Sequence, residues 1–569
     1  MDLKKINNLL ELFFYQFEKQ KDKNKILLSS LKEPKKNYNW QETFLSIKKL
    51  STELKNYVNK GDRCLLISEN RPEWFISDLS IMLSESITVP AYTTYAERDY
   101  EYIINDCTPS VVFVSNTEQY NKVKNIIKNK KFIKKIISFE KLEKIKENEY
   151  ININNLFSNL NNENNNIFKP KITREEPACI IYTSGTQGNP KGVILSHGGI
   201  LNNCEGAIEI LKPLITNNQT RFLTWLPLSH SYEHTVQFVQ ITVKARIFYA
   251  ESIEKLIKNM NECSPEIMTA VPRFYQNLYQ KINASFNKAT GIKKILVKKM
   301  LNLGFKKIKK KPLSFLEIIQ DNILDKIIRK KIKAQFGGSL KTFVSGGGAL
   351  DKEVGFFLNA IGLPTLQGYG LTETSPVVSC NPINDIRVET VGPPFKGNEV
   401  KIAEDGEILV KGENVMLGYW KNKEETDKVL KNGWLHTGDI GVFENNYLKI
   451  TDRKKDILIT PGGDNISPIK IENELVNSEF IEQAIVYGDN KPYLVALLVI
   501  NNEKKIFSEQ EIKDQIEKIN ENLTNIEKIK KYFVINEKFS IENGMLTPTL
   551  KLKRYKIINK YKNEFEKLY

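Results

Sequence analysis

Histidine and cysteine are scarce in this chain, with four and six copies in 569 residues. Cys64, Cys107, Cys179, Cys204, Cys263 and Cys380 form no C-x-x-C pair and share no zinc-ligand spacing with histidine. That excludes a zinc finger and a disulfide-stapled secreted domain, and predicts a reducing, cytoplasmic setting. Long hydrophobic runs are missing as well. No window approaches the roughly eighteen apolar residues of a membrane-crossing helix, so none is expected. The opening stretch MDLKKINNLLELFFYQF interrupts its apolar residues with Lys, Glu and Gln and has no small-residue cleavage site, so no secretory leader is expected either. What is present suits packed cores: 41% hydrophobic and 10% aromatic residues. The length points to about three or four folding units.

Basic residues exceed acidic ones, 84 to 68, for a formal charge of +16. The excess is uneven. Residues 285–333 hold fifteen Lys or Arg against three acids, Glu317, Asp321 and Asp325. Ile292, Leu296, Met300, Leu301, Phe315 and Ile328 recur among them at roughly helical spacing. Two readings fit: a solvated helix pair, or a basic amphipathic face for an anionic membrane surface or an acidic partner. No nucleic-acid-binding module accompanies the charge, so no nucleic-acid partner is expected.

Residues 1–140 alternate helical patterns with short apolar runs such as Arg63–Ser68 and Ser110–Val114, the rhythm of an α/β layer fold with a parallel sheet. A second such stretch runs from about 175 to 380. Residues 145–168 are Asn-rich and read as a surface linker. From about 385 to 450, short strands between Gly, Pro and Asn turns predict a small β-rich unit. The expected architecture is α/β: a large N-terminal lobe over 1–452 with two α/β sheet subdomains and the β-rich unit, then a small α+β domain over 453–569.

Residues 181–192, IYTSGTQGNPKG, follow a strand-like run. Gly185 and Gly188 let backbone N–H groups turn toward an anion. Thr183, Ser184 and Thr186 add hydroxyl donors, and Lys191 adds a point charge. This is not the nucleotide-motor loop, because Asn189 and Pro190 separate Gly188 from Lys191 and Gly192 replaces the magnesium-binding Ser or Thr. Two further strand-then-glycine junctions, Ser345–Leu350 and Leu366–Thr374, suit the carboxyl ends of strands, where α/β sheets bind ligands. Tyr369, between two glycines, offers a flat face to a base. Thr372 offers a donor to a phosphoryl oxygen, and Glu373 a hard oxygen ligand for magnesium. Asp439 has two oxygens for the vicinal hydroxyls of a ribose, and Arg453 follows shortly. His230 and His234 have a metal-box spacing around Glu233, but this is not H-E-x-x-H and no third ligand is evident. Taken singly, each feature also reads as a turn, a core residue or a solvated tail.

Taken in order, YTSGTQGNPKG, LPLSHSYEH, GYGLTET, GWLHTGDI, DRKKD and LTPTLKLKR resemble the motif series of the adenylate-forming, or AMP-binding, superfamily. LPLSHSYEH and LQGYGLTETSPV look most like its long-chain fatty acyl-CoA synthetases. The likeness spans about 30 to 560. It implies an ATP-dependent fatty acid–CoA ligase using ATP, Mg2+ and coenzyme A. A carboxylate attacks the α-phosphate to give acyl-adenylate and pyrophosphate, and a thiol then displaces AMP. By resemblance, Thr183, Ser184, Gly185, Thr186 and Lys191 hold the β- and γ-phosphates. Tyr369 and Gly370 meet adenine, bordered by the Gly347, Gly348 and Ala349 backbone. Thr372 contacts the α-phosphate, Glu373 binds magnesium, Asp439 and Arg453 hold the ribose, and His230 lies near the acyl carboxylate. Lys551 matches the catalytic lysine and Lys455 the hinge about which a mobile C-terminal domain turns. Gly462 and Gly463 are candidates for the second, CoA-binding face.

Two departures stand out. Leu550 occupies a position where many relatives have glycine, and Gln187 one where threonine is frequent. Lys553 competes with Lys551 for the catalytic role, and the K-x-x-R spacing to Arg554 favours Lys551. The basic segment 285–333 also admits an acidic acyl carrier protein as acceptor, or peripheral attachment at the inner face of a membrane. A third reading, a membrane-associated lipid-binding protein without catalysis, conflicts with the intact Lys191, Glu373, Asp439 and Lys551 set.

Overall fold

The computed structural model describes residues 2–146, 148–158, 160, 170–183, 190–215, 219–478, 480–501, 507–547 and 549–569. Ser184, Gly185 and Thr186 of the glycine loop, and Gln187, lie outside the described residues.

Two eight-stranded sheets form the large lobe. From edge to edge the first runs Gly418–Tyr419, Lys191–Ser196, Pro177–Thr183, Ile87–Ala91, Arg63–Ile67, Val111–Val114, Lys135–Ser138 and Ile151–Asn152. The second runs Val377–Cys380, Thr365–Gly370, Thr342–Ser345, Ile267–Ala270, Arg221–Thr224, Arg246–Tyr249, Ile26–Ser30 and Asn37–Asn39. Both are parallel inside; the first is antiparallel at its Gly418–Tyr419 edge only, the second at both edges. Strands such as Val111–Val114 are apolar without alternation because both faces are covered. Between the sheets, the helix Pro72–Leu83 is buried along its whole length, as a helix that is apolar on nearly every side must be. With Leu9–Lys19, His197–Leu211 and Ser231–Thr242 it builds the largest core, which joins Cys64 and Leu66 of the first sheet to Phe222, Ile247 and Tyr249 of the second. Each such side chain contributes about 1.5–3 kcal/mol by leaving water.

The structure departs from the sequence expectation in three places. The sheets are not contiguous in sequence: Ile26–Asn39 completes the second, and Pro177–Ser196 closes the first. The Asn-rich segment is not all linker, because Ile151 and Asn152 pair with Ile137 and Ser138 while Tyr150 is buried. Lys191–Ser196, for which sequence reading gave no strand, is a strand antiparallel to Pro177–Thr183. The glycine loop therefore connects a β-hairpin, and the helix His197–Leu211 starts only after it, capped by Ser196 accepting from Gly199 N–H.

A five-stranded antiparallel sheet, Glu399–Ile402, Glu407–Lys411, Leu430–Lys431, Trp434–Glu444 and Tyr447–Arg453, follows. The C-terminal residues form a sheet of Ile481–Tyr487, Leu494–Ile500 and Ile529–Ile535, with helices on both faces. Leu494–Ile500 is apolar at every position because alternate residues serve opposite cores, Leu494, Ala496 and Leu498 one, Val495, Leu497 and Val499 the other. This unit leans on the large lobe, where Gln280 Nε2 donates to the Val476 carbonyl at 3.1 Å.

Candidate active site

A cleft of about 2220 Å³ opens where strands of the second sheet end, between the β-rich sheet and the C-terminal unit. Thr342–Ser345 and Thr365–Gly370 run parallel and deliver Gly346, Gly347 and Tyr369 to its wall. Gly347 has φ +80°, where a side chain is disfavoured. Gly370 is required for another reason: a Cβ there would lie 1.8 Å from the Pro376 carbonyl oxygen, just before the neighbouring strand Val377–Cys380. Gly348 and Ala349 are solvent-exposed and stand outside the cleft lining.

Asp439 and Arg453 are register partners on antiparallel strands. Arg453 Nε donates to Asp439 Oδ1 at 2.9 Å, and the Tyr369 hydroxyl donates to Oδ2 at 2.8 Å. Each carboxylate oxygen keeps further acceptor capacity for a ligand hydroxyl. Glu373 lines the cleft and accepts the Tyr419 hydroxyl through Oε1 at 2.9 Å. Among the described residues Oε2 takes no hydrogen bond, so a hard anionic oxygen is left for a cation such as Mg2+. Thr372 Oγ1 lies 3.2 Å from Ser231 Oγ. Thr183 and Lys191, at the two stems of the glycine loop, also line the cleft. Lys191 forms an ion pair with Glu425 and stands 5.0 Å over the Tyr419 ring. Hydrogen bonds from Lys191 and Lys428 hold the Glu425 carboxyl down at about 2.

His230 caps the helix Ser231–Thr242, its Nδ1 accepting the Tyr232 N–H at 3.1 Å. That bond assigns the proton of the neutral ring to Nε2. Burial, and then the Lys551 charge, depress its pKa to about 3, so the ring is a neutral donor at physiological pH. His234 faces the core instead. Its Nε2 lies 2.8 Å from Asp78 Oδ2 and its Nδ1 3.6 Å from Cys179 Sγ. Burial opposes its charge, but Asp78 outweighs that and raises the pKa. Glu233 is also buried, with Oε2 accepting from Thr269 Oγ1 at 2.7 Å, and burial pushes its pKa up to about 8. The two histidines thus serve separate environments. Among the described residues no group of three or more His, Cys, Asp or Glu could hold a metal ion.

Lys551 enters from the C-terminal unit. Thr547 N–H donates to the Lys551 carbonyl at 2.8 Å, and Lys551 N–H to Thr547 Oγ1 at 3.0 Å, closing a turn. The turn sets Lys551 against Gly347, where a Cβ would lie 3.8 Å from Lys551 Cε. Cleft walls surround the side chain, although cleft water still reaches it. That enclosure, followed by the Arg453 charge, lowers its pKa to about 8, while Asp439 and Glu373 pull upward. Its two basic neighbours are differently employed. Arg554 binds both oxygens of Glu472 at 2.6 Å, and Lys553 sits at the cleft mouth near Lys556, Asp99 and Arg98. Leu550 has φ +62°, a conformation costing about 1–2 kcal/mol for a residue with a Cβ. Its side chain packs on the C-terminal core, which offsets that cost. The strain accounts for the frequency of glycine there in the resembled family.

Lys455 is exposed, two residues past the strand ending at Arg453, and borders the cleft. Gly462 and Gly463 lie in the exposed turn between Leu458–Ile459 and Asn465–Ile466, outside the cleft lining.

Beyond His230 the lining turns apolar. Ile210 and Leu211 of one helix and Val236 and Val239 of another face Phe222 and Ile267 of the second sheet. Ile267 is in register with Thr342, four residues before Gly346, so the chamber runs about 13 Å along the sheet face. Sequence reading did not single out Ser231, Tyr419 or Glu425. Ser231 adjoins His230 in a motif already noted. Tyr419 and Glu425 lie 46 and 234 residues from the partners they hold, and no local pattern links such pairs.

Comparisons with known proteins place the chain in a family. Long-chain-fatty-acid–CoA ligase FadD15 of Mycobacterium tuberculosis is 29% identical over 542 residues, 90% of this chain and 88% of that protein. Long-chain-fatty-acid–CoA ligase 5 of Rattus norvegicus is 32% identical over 566 residues, 90% and 81% of the two chains. The anthranilate CoA ligase AuaEII, solved with anthranoyl-AMP, superposes with a TM-score of 0.77 at 19% identity, covering 98% of this chain and 99% of that one. Residues 13–420 match the family described as AMP-binding enzyme, and 455–569 match the AMP-binding enzyme C-terminal domain. With both parts matched over nearly the whole length, the chain belongs to the AMP-binding enzyme family.

Proposed function

We propose that this enzyme is an AMP-forming long-chain fatty acid–CoA ligase. The observation that carries the reading is one cleft that joins a polar, nucleotide-sized half to an apolar chamber, with Lys551 at their junction. The names of the mycobacterial and rat relatives support the same acid and thiol.

In the first half-reaction a carboxylate oxygen attacks the α-phosphorus of ATP in line. The bond to the pyrophosphate oxygen breaks, and acyl-adenylate forms. Such a transfer needs positioning and charge neutralisation more than covalent help. Tyr369 stacks on adenine and Asp439 grips the ribose with Arg453 beside it. Thr372 donates to an α-phosphate oxygen, and Lys191 exchanges Glu425 for the outer phosphates. The Lys551 ammonium sits between the two reacting anions and relieves their repulsion. His230 Nε2–H donates to the acyl carboxylate, aided by the positive end of the helix it caps. Glu373 would hold Mg2+, which when bound neutralises charge on the departing pyrophosphate.

In the second half-reaction the CoA thiolate attacks the acyl carbon, the carbon–oxygen bond to AMP breaks, and AMP leaves with the electron pair. Lys551 occupies the junction in the present arrangement. Residues 453–569 therefore turn about Lys455 between the half-reactions, and another face, with Gly462 and Gly463, meets the thiol. The test is an acid panel of increasing chain length with CoA or acyl carrier protein, read by pyrophosphate release and thioester mass. A long-chain acyl-CoA is expected. No pyrophosphate with any acid, or product with carrier protein alone, overturns the reading.

A further inference from the structure

The far end of the apolar chamber is bordered by an ion pair. The helix His197–Leu211 lines one side of the chamber through Ile210 and Leu211, and the second sheet lines the other through Phe222 and Ile267. Glu266 stands one residue before Ile267, and Lys341 one residue before Thr342, the register partner of Ile267. Past Leu211 the chain turns, with the Leu214 N–H donating to the Leu211 carbonyl at 2.8 Å. Lys341 Nζ reaches from the start of the sheet to this turn. It donates to the Leu214 carbonyl at 2.8 Å and lies 3.0 Å from Glu266 Oε1. Glu266 is held in place as well: its Oε2 accepts the Arg221 N–H at 3.0 Å, and its carbonyl accepts the Lys341 N–H at 2.8 Å. The Glu266 side chain is 11% exposed and that of Lys341 28%, so the pair has water on its outer side. Apolar side chains would serve the packing of this end equally well, because an ion pair of this kind adds little stability. A charged pair differs in what it does to a ligand: it does not welcome a hydrocarbon end that would strip it of water.

We propose that the bridge from Lys341 to Glu266 and the Leu214 carbonyl is the stop that sets the longest acyl chain the chamber takes, at about fourteen carbons. The inference rests on the ligase reading and specifies its acid. Lys341 lies five residues before Gly346, so at about 3.3 Å per residue the stop is about 16 Å from the junction. Carbon–carbon bonds of about 1.5 Å advance an extended chain by about 1.3 Å each, and about thirteen such steps beyond the carboxyl carbon fill that depth. A longer chain must pull Lys341 from both partners and leave the Glu266 carboxylate without its cation.

The test measures kcat/KM in ATP–pyrophosphate exchange by the full chain over saturated acids from octanoic to icosanoic. In wild type it should rise up to about fourteen carbons and be about tenfold lower for octadecanoic acid, the scale on which a pocket rejects excess carbon. Lys341→Met keeps the aliphatic stem and loses the bonds. It should move the optimum toward longer acids and recover about tenfold on octadecanoic acid. Octanoic acid ends short of the bridge, so both proteins should use it alike. Lys341→Arg keeps donors for Leu214 and Glu266 and should retain the wild-type profile. A wild-type profile that is flat from tetradecanoic to icosanoic acid overturns the stop, whether or not Lys341→Met folds. So does an unchanged profile in a Lys341→Met protein that is active on octanoic acid. Exchange with no acid at all overturns the ligase reading, and this inference with it.

Discussion

The two walls of the cleft are built differently. On the large-lobe wall the polar groups are partnered in advance: Asp439 with Tyr369 and Arg453, Glu373 with Tyr419, Thr372 with Ser231, Lys191 with Glu425. On the C-terminal wall the Lys551 Nζ makes no hydrogen bond or ion pair among the described residues, on a turn that includes the strained Leu550. A partnered wall is preorganised for a ligand. A wall without partners is completed by the ligand and can be withdrawn without leaving an unsatisfied group behind.

The largest test of that contrast removes Lys551. In Lys551→Ala, adenylation measured as ATP–pyrophosphate exchange should fall about 10²- to 10³-fold, the usual effect of losing one preorganised donor. Thioester formation from supplied acyl-adenylate should stay within a few-fold. Equal loss of both half-reactions would mean that the C-terminal wall is never withdrawn.

A second test reads the same lysine by pH. Its pKa is lowered to about 8, and the proposed mechanism requires the charged form. The kcat/KM for adenylation should therefore be flat below about pH 8 and fall about tenfold for each further pH unit. Lys551→Arg retains a cation throughout and should lack this limb at whatever rate it shows. A limb that persists in the Arg variant belongs to another group.

On the large-lobe wall the expected effects are smaller, because partners share the load. Tyr369→Phe keeps the ring and loses only the hydrogen bond to Asp439. Its KM for ATP should rise about two- to tenfold, as the loss of about 0.5–1.5 kcal/mol implies, with kcat little changed. A collapse of kcat would show that the hydroxyl does more than steady the carboxylate.

How much of this was legible in the sequence follows the same divide. The glycines of GYGLTET, the Asp439–Arg453 pair and Lys551 sit in short motifs whose chemistry is local, and the structure brings Gly368, Gly370, Arg453 and Lys551 to one cleft, with Asp439 buried behind Tyr369 and Arg453. The parallel sheets were legible as alternating apolar runs, but not their membership, since Ile26–Ser30 pairs with Arg246–Tyr249 across more than two hundred residues of chain. The hairpin at Lys191–Ser196 was hidden because its residues are short and apolar enough for either reading. The apolar chamber was not legible at all: Phe222, Val239 and Ile267 look like packing until the fold leaves space beside them. Leu550 ran the other way. In the sequence it was an unexplained departure, and its φ of +62° supplies the reason glycine would suit it.

The smallest test concerns Lys191, a cation of the large-lobe wall that the proposed function requires to change partners. On the proposed function Lys191 gives up Glu425 to meet phosphate, and both side chains are about one-third exposed, at 32% and 29%. A partly solvated ion pair is weak, so the competition it offers to ATP is modest. In Glu425→Gln, the KM for ATP should fall about two- to fivefold, with kcat unchanged, and the difference from wild type should shrink as salt screens the pair. A rise in KM would reverse the interpretation: Glu425 would then be holding Lys191 in position for the phosphates, and prior partnering would aid the ligand on this wall rather than compete with it.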